Sequence, residues 1–359
     1  MVRSVSVPLP GLDPTPPLTI AVVLACIAVG IYAVRVHQRR QGRQSRKRVG
    51  WFTTQCQRLL RGEISDDELR HTVDETPEGE FWTALEQLSL RWRHAEWRRL
   101  ARALKDAPGA PAERRALRDD SPWRQVLAAR RLALLRSRVD RRALRRAMVR
   151  GPELITYACG MALARYHDAL ALRWLLEHPE RLARRPRLSL QALLRGFGPR
   201  GRVELVTALD HGIASAPVER AVMDALGALR ERAARPVLEQ RLHADDVDLR
   251  VAAVRALGRI RAIESGTLLL AALRDPQWPV RAHAARALGE ARVLLATEAL
   301  AARLTDPVWW VRHHAAYALT ALGDEGRAML RAVATSSPDR YARDMAREAL
   351  DGGPRIDAA

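Results

Sequence analysis

The amino-acid sequence predicts an all-α protein, an α-solenoid of helical pairs preceded by a single transmembrane helix. Two observations predict this fold class. An uncharged apolar run occupies residues 18–34, near the N-terminus. Between about residues 245 and 352, one residue pattern recurs every 31 residues, most clearly at Arg250, Arg281, Arg312 and Arg343. A fixed period of about 20 to 50 residues is typical of solenoids.

Each repeat is predicted to contain two helices. In one copy, Val311, Ala315 and Leu319 have the spacing of one helix face and mark a buried stripe. A second helix is predicted near residues 267–273 in one copy and near residues 297–304 in the next. One helical pair cannot bury its apolar face alone, so each pair must pack on its neighbours.

Two of the copies have nearly the same amino-acid sequence. Residues 275–281 read DPQWPVR and residues 306–312 read DPVWWVR, and an Ala-Leu-Gly motif follows the first of them. These motifs resemble HEAT repeats, in the short bacterial form that also occurs in phycobilisome-lyase-like proteins. The resemblance covers about residues 217–350, and the period becomes irregular over residues 153–216. It implies that the repeat Asp and Arg form a structural ladder between neighbouring repeats, with Arg281 and Arg312 as members.

The rest of the chain divides by composition. A long helix is predicted over residues 80–105, with Trp82, Trp92 and Trp97 in the core. The predicted regions are a short proline-rich external tail at 1–17, the transmembrane helix at 18–36, a basic juxtamembrane linker at 37–50, a helical N-terminal region at 51–120, the HEAT-like solenoid at 121–352 and a polar tail at 353–359.

The charges beside the apolar run predict its orientation. Seven Lys and Arg residues lie between Arg35 and Arg48, whereas only Arg3 precedes the run. Positive residues stay on the cytoplasmic side of a membrane. The sequence therefore predicts a single-pass protein of the cell membrane with its N-terminus outside and its solenoid in the cytoplasm. A cleaved signal peptide is one alternative, but it requires positive charge before the run. A buried helix is another, but the flanking charge cluster counts against it.

The net charge of +19 is concentrated in two regions, residues 35–62 and residues 91–150. Residues 91–150 contain nineteen Lys and Arg against six acids. The linker is predicted to hold anionic lipid headgroups of the cytoplasmic membrane at about 1 kcal/mol per basic residue. Its candidate lipid-binding residues are Arg39, Arg40, Arg43, Arg46, Lys47 and Arg48.

No catalytic, cofactor or metal site is predicted. The three cysteines, Cys26, Cys56 and Cys159, lack the spacing of a disulfide framework or a zinc site. The match to G-x-G-x-x-G at residues 196–201 follows a helix instead of a strand, so it is interpreted as a turn. None of the ten histidines precedes a Glu, so the iron ligands of the HEAT-like deoxyhypusine hydroxylases are absent. The adjacent His313 and His314 point in different directions on a helix and make a poor chelate.

Three functions remain, in order of preference. The first is a membrane-anchored, non-enzymatic scaffold that binds a protein partner, such as a membrane enzyme of the glycosyltransferase kind, which is an association of similar bacterial proteins. The second is a basic solenoid in which residues 91–150 bind a polyanion, either nucleic acid or anionic lipid. The third is an enzyme like the phycobilisome lyases, and it ranks below both.

The predicted partner site lies on the first helix of one repeat, at Trp309, Trp310, His314 and Tyr317. Trp310, His314 and Tyr317 are spaced at i, i+4 and i+7, off the buried stripe. Exposed Trp and Tyr often mark interfaces. Trp309 recurs one repeat earlier as Trp278, so it can instead fill a joint between repeats. The alternative for Trp310 and Tyr317 is packing on the last repeat or the tail.

Overall fold

The structure of the protein, a computed structural model, describes residues 41–352 except residues 92–93 and 105–106. All regular secondary structure in these ranges is helical. The chain divides into two compact units, Met1–Gly109 and Ala110–Ala359. The predicted all-α class is confirmed for the described part of the chain. The domain ranges inferred from the sequence, with a boundary at residue 120, stay predictions.

The membrane location requires a correction. Among the described residues, no helix is both long and apolar enough to cross a membrane. The longest helix in the described ranges, at residues 41–61, carries Arg43, Arg46 and Lys47. Charged side chains are costly inside a bilayer. This finding contradicts the predicted location as a single-pass membrane protein with its N-terminus outside, and that prediction is wrong. The predicted transmembrane segment 18–36 itself lies outside the described residues, as do Arg39, Arg40 and the two tails.

The first unit contains four helices in its described part. Helix α1 covers residues 41–61, and the others are α2 (Asp66–Glu75), α3 (Glu78–Arg91) and α4 (His94–Ala103). Ser65 begins α2 with a capping box, because its side chain accepts from the Glu68 N–H and its own N–H donates to the Glu68 carboxylate. Phe52, Phe81 and Trp82 form an edge-to-face aromatic core with ring centroids 5.6 and 4.9 Å apart. Trp97 is buried too, whereas Trp92 lies outside the described residues.

The second unit is an α-solenoid of two helix rows, which follow α5 (Gly109–Ala116). The first helices of successive pairs, here called A helices, are α6 (Pro122–Leu135), α8 (Glu153–Arg165), α10 (Arg187–Gly196), α12 (Ala216–Ala228), α14 (Val247–Ile260), α16 (Trp278–Ala291), α18 (Trp309–Ala321) and α20 (Arg340–Leu350). The second, or B, helices are α7 (Arg138–Arg150), α9 (Ala169–Glu177), α11 (Gly198–His211), α13 (Arg235–Arg241), α15 (Gly266–Ala272), α17 (Thr297–Ala302) and α19 (Asp324–Ser336). Each A helix packs on the next one, around a continuous core rich in Ala and Leu. The predicted solenoid is confirmed.

The ends of the A helices show that the period extends further upstream than the sequence motifs do. A residue with positive φ follows each of α6 to α18 in the A row, where it closes the helix end. These residues are Arg136, His167, Gly198, Arg230, Arg261, Arg292 and Gly323. Successive positions are 31 residues apart, except for 32 between Gly198 and Arg230. The period that the sequence shows as irregular over residues 153–216 is therefore regular in the structure, with one inserted residue.

Replacement of Arg261 or Arg292 by Gly should stabilise the protein. Their φ values of 55° and 54° are unfavourable for a residue with a side chain, and both side chains are exposed. We expect the free energy of unfolding in urea to rise by about 0.5–1 kcal/mol for each change. Arg331→Gly, at an exposed interior position of α19, should instead lower it by about 1 kcal/mol. A loss in all three variants would contradict the role of these residues as left-handed caps.

Candidate partner-binding surface

A ladder of Arg and Asp side chains holds the start of α18. Arg281 donates Nε and Nη2 to the two carboxylate oxygens of Asp306, at 2.8 and 3.0 Å. Oδ1 of Asp306 also accepts from the backbone N–H of Val308 at 3.0 Å, directly before the helix. Burial alone would raise the pKa of Asp306, but the hydrogen bonds from Arg281 and the Val308 N–H lower it below its ordinary value. Trp309 and Trp310 therefore directly follow a turn that these hydrogen bonds hold in place.

The ladder has two complete rungs and one incomplete rung. Arg250 binds Asp275 at 2.9 and 3.0 Å in the same two-pronged way, so Arg281 has the ladder role that the resemblance implies. Arg312 donates to the carbonyls at the turn before its own helix. The position that would supply its carboxylate is Ser337, and within the described part of the chain the buried Nε of Arg312 has no hydrogen-bond partner.

Five ring side chains of α18 form one contiguous group, which we call the aromatic cluster. Trp309 stacks on His313 with ring centroids 4.7 Å apart, and Trp310 stacks on His314 at 6.2 Å. His313 also contacts Tyr317 at 4.5 Å. All four predicted site residues are thus brought together, through His313, which the predicted site did not include. Its spacing of four residues from both Trp309 and Tyr317 is the signal that could have identified it.

The members of the aromatic cluster differ in exposure. Trp309 and Trp310 are 38% and 41% exposed, and His313 is buried at 3%. His314 and Tyr317 are half-buried, and the Tyr317 hydroxyl oxygen is inaccessible to solvent. The solvent-facing part of the cluster is therefore the tryptophan pair, whereas Tyr317 belongs mainly to its support.

The surface continues from α18 onto the preceding A helices. His314 stacks on His283 of α16, with ring centroids 6.1 Å apart. Further along, the fully buried Asp224 of α12 accepts from Arg187 Nε at 2.8 Å and from Gln191 Nε2 at 2.7 Å. Asp224 also pairs with Arg255, and Arg259 lies 3.9 Å away. Three arginines around one carboxylate leave this region positive. A cavity of about 310 Å³ opens beside it, among α10, α12 and α14.

The two stacked histidines are neutral at pH 7. Burial, with help from the charge of Arg255, lowers the pKa of His283 from its ordinary value of 6.5 to about 3. Burial, with help from His313 and Arg286, lowers the pKa of His314 to about 4. The contact between α16 and α18 is therefore made by uncharged rings. Glu290, which lines the same small cavity as His283, is paired with Arg286.

Acid should destabilise the folded protein through His283 and His314. Their folded pKa values lie below the ordinary value, so the unfolded chain binds protons first as the pH falls. The contribution of these histidines to the free energy of unfolding is fully present above about pH 6.5. It is lost as the pH falls toward 4, at about 1.4 kcal/mol per pH unit for each histidine. Urea unfolding at about pH 7, 6 and 5 measures this decline. In a His283→Gln/His314→Gln variant, the free energy of unfolding should decline less steeply with falling pH. An unchanged decline would assign the effect to other groups.

The predicted lipid-binding residues that the structure describes lie on α1, in the first unit. Arg46 Nε donates to the Gly42 carbonyl at 3.1 Å, and Arg48 lies 3.8 Å from Glu80. Arg43 and Lys47 are exposed on the same helix. The aromatic cluster belongs to the second unit. The lipid role of these residues depended on the membrane location that is corrected above.

Comparison with known proteins bears on the repeats. Residues 266–351 match the family model for HEAT repeats, in agreement with the resemblance of the sequence motifs. No curated protein matches the chain.

Several solved structures are similar in fold. An engineered protein is 19% identical, with 85% of this chain and 98% of that chain covered and a TM-score of 0.39. A mutant of Kap121p is 15% identical, with 84% and 41% covered and a TM-score of 0.49. YIBA_ECOLI is 17% identical, with 80% and 97% covered and a TM-score of 0.35.

Proposed function

We propose that this HEAT-repeat protein is a scaffold that binds a protein partner through the aromatic cluster on α18. The observation that carries the proposal is the tryptophan pair, Trp309 and Trp310, which remains 38% and 41% exposed on a helix that the ladder holds in place. Tryptophan is enriched among residues that dominate binding energy. A side chain that is already ordered loses little entropy on binding.

The repeat itself does not require Trp310. The equivalent position is Pro279 one repeat earlier and Asp248 two repeats earlier, so the solenoid forms without an aromatic residue there. Trp309 differs, because Trp278 repeats it and is also 43% exposed. Trp310 is therefore an addition to the repeat pattern that fits a binding role better than a packing role.

The neighbouring arginines indicate the chemistry of the partner. Arg187 and Arg259 border the surface with partly exposed side chains, and Asp224 neutralises only part of their charge. A partner that inserts an apolar side chain beside Trp310 and places an acidic residue near these arginines would complement both features. The proposal is non-enzymatic; a glycosyltransferase as the partner stays a prediction from the sequence resemblance.

Trp310→Ala should weaken partner binding at least tenfold and leave the melting temperature almost unchanged. Truncation of a central interface tryptophan costs about 2 kcal/mol or more, whereas a partly exposed side chain contributes less to folding. The matched control is Trp123→Ala, which removes a tryptophan that is 74% exposed on α6.

Binding is measured by quantitative affinity capture after nuclease treatment, with the wild type and both variants compared. We expect at least one protein to be retained by the wild type and by Trp123→Ala but lost with Trp310→Ala. Equal retention by all three proteins would contradict the proposal. So would a large loss of melting temperature in Trp310→Ala with retention intact, because it would return this residue to the core.

A further inference from the structure

A second candidate site lies far along the chain from the aromatic cluster, among helices α5 to α8 of the second unit. It is a cavity of about 570 Å³, within the range of about 300–1,000 Å³ that ligand sites occupy. We call it the arginine cavity, because Arg118, Arg142, Arg146 and Arg150 line it together with Arg114. No acidic side chain lines it among the described residues.

Most of the cavity's positive charge has no internal partner. Arg114 is the exception, since its Nη1 donates to the buried carboxylate of Asp140 at 2.5 Å. Arg118, Arg142, Arg146 and Arg150 make no ion pair with any residue in the described ranges, and all four are exposed. Four uncompensated guanidinium groups around one hollow favour an anionic ligand.

The two sides of α7 show that this is not a general surplus of arginine. Arg141 and Arg145 lie on the side facing the next repeat, where both reach Asp168, and Arg145 binds it at 2.6 and 2.8 Å. Arg142, Arg146 and Arg150 follow at i, i+4 and i+8 on the cavity side, where no carboxylate meets them. The structural ladder therefore neutralises one face of the helix and leaves the other face charged.

The arginine row and the floor of the cavity define the class of ligand. Eight residues of helix separate Arg142 from Arg150, so the row is about 12 Å long. Leu117, Val139 and Ile155 supply an aliphatic floor, and no aromatic side chain lines the cavity among the described residues. Single-stranded nucleic acid is held by stacking of its bases on aromatic rings, so this lining favours a ligand with aliphatic groups.

We infer that the arginine cavity binds an acidic peptide segment that carries aliphatic side chains. Carboxylates along the peptide would each accept from a guanidinium group, in the charge-assisted geometry that arginine favours. The aliphatic side chains between them would cover the floor. This site is separate from the aromatic cluster and chemically different from it, so the inference goes beyond the proposed scaffold function.

Fluorescence anisotropy with the whole 359-residue chain tests the inference. The probe is a fluorescein-labelled peptide of Glu and Leu, about 12 residues and so about 18 Å long as a helix. A peptide with Ser in place of Leu tests the floor, a peptide with Gln in place of Glu tests the charge, and oligothymidine represents nucleic acid. Binding should weaken as salt rises from about 50 to about 300 mM, since the charges are exposed.

Arg142→Gln/Arg146→Gln should weaken binding of the Glu-Leu peptide at least tenfold, because two charge-assisted contacts are lost. The matched control is Arg327→Gln/Arg331→Gln, which removes two exposed arginines at the same spacing on α19 that form no ion pair with another described residue. Both pairs change the net charge equally, so only a local site distinguishes them. Unchanged melting temperatures show that both variants are folded.

Three outcomes would overturn the inference. Equal weakening by both variant pairs would mean a general attraction to positive charge. Equal affinity for the Ser peptide would mean that the aliphatic floor takes no part. Tighter binding of oligothymidine, lost in Arg142→Gln/Arg146→Gln, would assign the cavity to nucleic acid. None of these results depends on Trp310, so they are independent of the proposed scaffold function.

Discussion

Asp306→Ala should lower the free energy of unfolding by about 3–5 kcal/mol, the cost of removing one partner from a buried ion pair. The change leaves Arg281, whose side chain is only 13% exposed, without its carboxylate. It also removes the acceptor for the Val308 N–H. Asp306→Asn should lose less, because the amide oxygen can still accept from Val308. Urea unfolding measured at about pH 7 gives both values.

The incomplete rung offers the reciprocal variant. Ser337→Asp would place a carboxylate opposite Arg312, at the position that Asp306 occupies one repeat earlier. It should raise the free energy of unfolding by about 1 kcal/mol, the net value of a typical hydrogen bond, because no described residue accepts from the buried Nε of Arg312. If Asp306→Ala and Ser337→Asp both left the stability unchanged, the ladder would contribute nothing to the fold.

Gly289→Ala should destabilise the protein by about 2–3 kcal/mol, although Ala is the better helix former. A Cβ at this position would lie 2.7 Å from the Ala318 Cα and 2.9 Å from its Cβ. Backbone atoms of the adjacent A helix cannot yield as a flexible side chain would, so the two helices must separate. Gly258 meets Ala287 in the same way at 2.8 Å, one repeat earlier.

Gly50→Ala is the matched control for this close approach. Gly50 lies inside α1, and a Cβ there would meet nothing within 4 Å. This variant should gain about 1 kcal/mol, which is the difference in helix propensity between the two residues. A Gly289→Ala protein as stable as the wild type would show that α16 and α18 are not closely packed at this point.

The sequence by itself determined the helical class, the solenoid and the repeat of its last third. Ala287 and Gly258 illustrate why: contacts between neighbouring repeats recur, so each helix keeps small residues at the same places every 31 residues. The ladder could be predicted for the same reason, since Arg281 and Asp306 belong to motifs that repeat. The sequence also led to an error, because an apolar run beside basic residues was taken to define the location of the whole chain.

Only the tertiary structure decided how residues outside the repeated motifs combine. Arg145 pairs with Asp168 across 23 residues, and Arg241 with Glu219 across 22 residues at 2.7 Å, and neither spacing matches the 31-residue period. The division of α7 into a neutralised face and a charged face likewise depends on the position of the next helix. Local periodicity reports contacts that are repeated, whereas pairing between unlike positions depends on helix length, rotation and side-chain direction, which the fold sets as a whole.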